Sequence, residues 1–84
     1  MEVRLTNHAR KQLVERNLSE AEVIMAVRTS DATIKQSPHR FRAVKKVHKN
    51  SGSKPHLLVV IYDTRGARKE IVTAFLTSKI HKYL

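Results

Sequence analysis

No cysteine occurs among the 84 residues, which excludes a disulfide framework and any thiolate metal site and is compatible with a reducing cytosol. Glycine and proline number two each, so no Gly-rich phosphate loop is available, and Gly52 and Gly66 both stand in ordinary turn contexts. No stretch approaches the ~18 consecutive apolar residues of a membrane span, and Met1-Glu2-Val3-Arg4 lacks a signal-peptide pattern. These absences predict a cytoplasmic chain without a membrane partner. The five histidines, at 8, 39, 48, 56 and 81, show no His-x-x-x-His spacing, and no metal or cofactor is expected. Asp31, Asp63 and Glu70 lie at turns or edges with no acidic pair sharing a site, which leaves a carboxylate mechanism unsupported. No repeat, linker or second domain interrupts residues 1–84, so one domain is expected.

What is scarce in acid is abundant in base: 17 Lys and Arg stand against 7 Asp and Glu, a net charge of +10. Such an excess costs self-repulsion and favours a polyanionic partner, because each neutralised phosphate releases counterions. RNA or another nucleic acid leads, and an acidic protein such as a neutralising antitoxin fits the same charge.

The apolar content concentrates in two runs, Leu57-Leu58-Val59-Val60-Ile61-Tyr62 and Ile71-Val72-Thr73-Ala74-Phe75-Leu76, around the turn Asp63-Thr64-Arg65-Gly66. They predict a central β-hairpin with cover on both faces. A simple register puts Leu57, Val59, Ile61, Val72, Ala74 and Leu76 on one face and turns Thr73 the other way with His56, Tyr62 and Phe75.

Thr6 or Asn7 caps a helix over 7–16 whose apolar side includes Ala9, Leu13 and Val14; Asn17, tolerant of left-handed backbone, stops it. Ser19-Glu20-Ala21-Glu22 is a capping box for a second helix over 20–28, with Ala21, Ile24, Met25 and Arg28 on one side and Val23 and Val27 widening the stripe. A short strand over 32–36, a turn at Ser37-Pro38-His39 and a strand over 40–48 follow. One parity of that strand holds Phe41, Ala43, Lys45 and Val47; the other holds Arg40, Arg42, Val44, Lys46 and His48. Residues 77–84 form either one short helix or a tail. The expected fold is α+β, two N-terminal helices packed on a four-stranded, mainly antiparallel sheet. Its sheet edges favour pairing in a homodimer.

An inventory of His, Arg, Lys and Thr suits attack by an RNA 2′-hydroxyl on its neighbouring phosphate, which needs a base, an acid and cations for the phosphorane. His8, in the first turn of the first helix, is the histidine singled out, and Arg16 at the end of that helix is a candidate phosphate clamp. Arg40, Arg42, Lys46 and His48 offer a phosphate-binding groove, and Thr73 a hydroxyl donor. Phe41 and Tyr62 are either base-stacking or core residues.

Thr6-Asn7-His8-Ala9-Arg10 followed by Glu15-Arg16-Asn17-Leu18-Ser19-Glu20-Ala21-Glu22-Val23, with Ile71-Val72-Thr73-Ala74-Phe75 near the end, resembles a small bacterial and phage domain family of unknown function. That family is similar to the BrnT and RelE type II toxins and to the barnase/EndoU/colicin/RelE group of metal-independent ribonucleases. The resemblance implies a BrnT/RelE-like fold and toxin-type endoribonuclease activity on translation-associated RNA, with an antitoxin partner. It implies His8 and Arg16 as catalytic or phosphate-binding, Thr73 as a phosphate donor, and Arg40, Arg42 or Lys46 as the basic strand component. The alternatives are a non-enzymatic RNA- or ribosome-binding module and a small regulator of an acidic protein.

Overall fold

Local signals set the helical first third. In the computed structural model, which describes residues 2–47 and 55–83, the Thr6 hydroxyl caps α1 (Asn7–Glu15) by accepting the Ala9 N–H at 3.0 Å. The helix ends in a Schellman motif: Leu18 N–H donates to the Leu13 carbonyl at 2.9 Å and Asn17 N–H to that of Val14 at 3.2 Å. Asn17 takes the required left-handed backbone, φ 55°. Ser19 opens α2 (Glu20–Arg28) with both halves of the capping box in place. At the far end of α2, the Lys45 ammonium donates to the carbonyl of the C-cap Thr29 at 3.1 Å, where the helix dipole favours a cation.

The expected two-helix, four-stranded antiparallel architecture is corrected by the sheet itself, which among the described residues is five-stranded and mixed, in the order β1-β5-β4-β3-β2, with three short helices. The strands are β1 (Glu2–Leu5), β2 (Ala32–Lys35), β3 (Arg40–Val47), β4 (His56–Arg65) and β5 (Arg68–Thr77), and α3 (Ile80–Tyr83) follows. The missing strand is β1, which lies parallel to β5 with Glu2 opposite Arg68 and Leu5 opposite Ile71. Its alternation is only two apolar residues deep, Val3 and Leu5, and its partner is remote in sequence, so no local period announces it. The other pairings are antiparallel between neighbours in the chain.

The hairpin turn falls later than expected. Arg65 and Arg68 still pair, leaving Gly66-Ala67 as a two-residue turn, and Gly66 adopts φ 63° as primed hairpin turns require. Register then shifts in β5: Ile61 faces Thr73 while Tyr62 faces Ile71, so Val72 is a bulge residue. This corrects the simple register, because the bulge reverses parity partway along β5. Leu58, Val60 and Tyr62 share a face with Ile71, Ala74 and Leu76, whereas Val59 and Ile61 share the opposite face with Phe75 and Thr73.

Both faces are covered. On the helix face, Ala9 and Leu13 of α1 and Val23, Ala26 and Val27 of α2 pack on Ala43, Leu58, Val60, Ile71 and Ala74. The buried side of α2 is therefore Val23, Ala26 and Val27, at i, i+3, i+4, while Met25 is 53% exposed and Val14 of α1 82% exposed. Phe41 and Tyr62 stack on each other at 5.6 Å within this cluster, which makes them core residues. On the far face, Ile80 and Tyr83 of α3 pack against Val44, Leu57 and Val59. Among the described residues no helix is long and apolar enough to cross a membrane.

Candidate nucleic-acid interface

The β3 parity rich in cations, Arg40, Arg42, Val44 and Lys46, points to the far face, since Val44 belongs to the cluster under α3 while Ala43 belongs to the cluster under α1 and α2. Cross-strand rows order this face. Nearest the β4–β5 turn, Arg4, Glu70, Asp63 and Arg40 lie side by side on four neighbouring strands. The next row is Thr73, Ile61, Arg42 and Ile34, then Phe75, Val59, Val44 and Ala32.

Each charge in this row has a partner, Arg40 and Asp63 within the row and Arg4 and Glu70 outside it. Arg40 grips Asp63 with both prongs, Nε to Oδ1 at 2.7 Å and Nη2 to Oδ2 at 3.0 Å. These bonds hold the Asp63 carboxyl below its usual range, against the opposing effect of burial, and raise Arg40. Glu70 takes Arg65 at 2.8 Å and Arg68 at 3.8 Å. An open hollow of about 770 Å³ at this end is lined by His39, Arg40, Asp63 and Arg65, so its charges are largely matched. Arg40 belongs to that lattice. Arg42 and Lys46 have no carboxylate partner among the described residues; Lys46 is exposed, and its backbone N–H is held by Asp31 at 2.8 Å. His48 lies outside the described residues.

A second group forms where β1 stops. Beyond Ile71 the edge of β5 has no strand beside it, and α1 lies along it instead, tied at one end by Thr6 N–H to the Ile71 carbonyl at 3.2 Å. At the other end Arg16 Nη1 donates to the Ala74 carbonyl at 2.8 Å and to the Thr73 hydroxyl at 3.1 Å. The Thr73 hydroxyl in turn donates to the Gln12 carboxamide, whose oxygen also accepts from Arg16 at 3.4 Å. Arg16 and Thr73, singled out separately in the sequence, thus meet across 57 positions.

His8 stands one turn before Gln12 on the same helical row, with steps of four residues, about 6 Å each, from His8 to Gln12 to Arg16. It is exposed and has no bonded partner among the described residues. Gln12 was not singled out in the sequence, although its position midway between His8 and Arg16 was the available signal. Asp63, expected at a turn, is instead the strand partner of Arg40. Among the described residues no group of three His, Asp or Glu side chains is placed to hold a metal ion.

The profile of a family described as a domain of unknown function, DUF4258, matches residues 5–82. The chain belongs to this family. No curated protein and no solved structure matches it. The matched span of DUF4258 takes in both α1 with His8, Gln12 and Arg16 and the whole of β5 with Thr73, so the cluster at the β5 edge falls wholly inside the family domain.

Proposed function

We propose that the domain binds RNA and cleaves it without a metal ion, as an endoribonuclease of the toxin type. The observation that carries this reading is the contact of Arg16 with Thr73, with His8 two turns away along the same helix. In the proposed reaction the 2′-oxygen bonds to the neighbouring phosphorus as His8 takes the 2′-hydroxyl proton, and the bond to the 5′-oxygen breaks as that oxygen takes a proton from water; Arg16 offsets the charge of the phosphorane, and the Thr73 hydroxyl turns from Gln12 to a phosphate oxygen. Arg42 and Lys46, on the far face that Thr73 shares, bind flanking phosphates. The family likeness to BrnT, RelE and the barnase/EndoU/colicin/RelE ribonucleases belongs to this proposal, as do translation-associated RNA as substrate, an acidic antitoxin partner, a homodimer and a cytoplasmic location.

One observation favours a second reading, a non-enzymatic RNA-binding module: Arg16 already donates to the Ala74 carbonyl and the Thr73 proton is already given to Gln12. Incubation with RNA in EDTA separates the two. Products ending in 2′,3′-cyclic phosphate, reduced about 100-fold or more in His8→Ala, support the enzyme. Binding without cleavage moves the assignment to the module.

A further inference from the structure

On the far face of the sheet, Arg42 is a cation with no carboxylate partner among the described residues. Its Nε atom is buried and meets no hydrogen-bond acceptor. Its neighbours in the cross-strand row are Ile34 and Ile61, and Asp63, two residues beyond Ile61 on β4, is held by both prongs of Arg40. A desolvated donor left without an acceptor is costly, and a guanidinium offers its strongest hydrogen bonds to an anion.

The surroundings of Arg42 are not a neutral core. Its guanidinium carbon lies 5.7 Å from the centre of the Tyr83 ring, and the Lys82 ammonium lies 5.5 Å from the same centre. The ring is itself fixed by an edge contact with Phe75, centroids 5.5 Å apart. Two cations thus gather at one aromatic ring, with no carboxylate paired to either among the described residues. The ring quadrupole attracts both, but it neutralises neither. One anionic oxygen group bound at this ring would supply the counter-charge that neither cation has among the described residues.

From this arrangement we infer that Arg42 and Lys82, organised by Tyr83, form a phosphate subsite on the far face, and that its ligand is a backbone phosphodiester of single-stranded RNA. The choice of RNA rests on the function proposed above; the anion-binding character rests on the two cations that gather at the Tyr83 ring with no carboxylate paired to either among the described residues. α3 is then part of the binding surface, and Tyr83 is a positioning residue that holds the two cations toward one phosphate. Thr73 lies two strands from Arg42 in one row, about 10 Å away at the usual strand spacing, so a strand of RNA crossing this face reaches both.

The test uses a short 2′-O-methyl oligoribonucleotide, which lacks the free 2′-hydroxyl and so reports binding without cleavage. Its affinity for the full chain is followed by fluorescence anisotropy across a salt series. Removing one phosphate contact on a single strand lowers the slope of log affinity against log salt by about 0.7, and Arg42→Gln and Lys82→Gln are each expected to do so. Tyr83→Leu is expected to lower affinity with the slope unchanged, and Tyr83→Phe to restore it. Lys82 is exposed, so Lys82→Gln tests the subsite even where Arg42→Gln folds poorly. Wild-type binding with unaltered slopes in folded Lys82→Gln and Arg42→Gln overturns the subsite alone. A wild-type protein that does not bind the oligonucleotide overturns the RNA reading and the subsite with it.

Discussion

Arg16 Nη1 lies 2.8 Å from the carbonyl oxygen of Ala74, on the outer edge of β5 beyond the last residue that β1 pairs. The guanidinium therefore serves the sheet edge and the Thr73 hydroxyl with the same nitrogen. Arg16→Ala is expected to destabilise the fold by about 1 kcal/mol, the net worth of a typical hydrogen bond, measured by urea denaturation. His8→Ala, at an exposed helical position, should stay within about 0.5 kcal/mol of wild type. A loss of cleavage in His8→Ala is then free of any folding explanation, whereas a loss in Arg16→Ala has to be corrected for the unfolded fraction.

Asn17 closes α1 at φ 55°, a conformation that disfavours a Cβ by roughly 1–2 kcal/mol and that Asn tolerates better than most residues. Asn17→Ala is expected to destabilise by about 1 kcal/mol, and Asn17→Gly to match or exceed wild type. Denaturation midpoints of the two variants in parallel provide the check.

The Arg40–Asp63 pair gives an acid-side dependence. Its hydrogen bonds depress the Asp63 carboxyl below its unfolded value of about 3.9. The pair's stabilisation is therefore complete above that value and lost as the pH falls through the lower folded one. Asp63→Asn should flatten the decline in denaturation midpoint between about pH 5 and about pH 2.

Tyr62 acts on the opposite limb. Burial raises its phenol above the ordinary value near 10, so its contribution is full below that value and disappears as the pH rises through the folded one. Tyr62→Phe should lessen the alkaline loss of stability, followed by circular dichroism melts above about pH 9.5.

Ile71 is fully buried where α1, β1 and β4 converge on β5. Ile71→Ala should cost about 2–5 kcal/mol, whereas Val14→Gln, at a position 82% exposed, should change stability by about 0.5 kcal/mol or less. Calorimetric melting of the two variants distinguishes these outcomes.

How much of this was legible depends on the range of the interaction. Both long helices were readable to within a residue because Thr6, Asn17, Ser19 and Glu22 act on backbone groups only a few positions away. β1 was not, since Val3 and Leu5 acquire a face only from Lys69 and Ile71 across the sheet. The buried side of α2 was legible in part: Val23, Ile24 and Val27 pack on the core as expected, whereas Ala21 and Met25 face outward and Ala26 takes their place, because tertiary packing decides between two adjacent apolar stripes. In the candidate site, His8, Arg16 and Thr73 stood out by chemistry, and the shared parity of Arg42 and Lys46 was legible, but the face it points to needed the register. The engagement of Arg40 by Asp63 was not, because it depends on the register of β3 against β4, which neither strand's own alternation fixes.

The parallel placement of β1 against β5 also governs the order of assembly. α1 has its capping signals at once as the chain is made from its N-terminus, but Thr6 and Arg16 find their acceptors only when Ile71 and Ala74 have been synthesised. Contacts this distant in sequence slow the final closure of the sheet. The grouping of His8, Gln12, Arg16 and Thr73 is therefore among the last features to form, and a nascent chain stopped before β5 carries the cations without the arrangement that would use them.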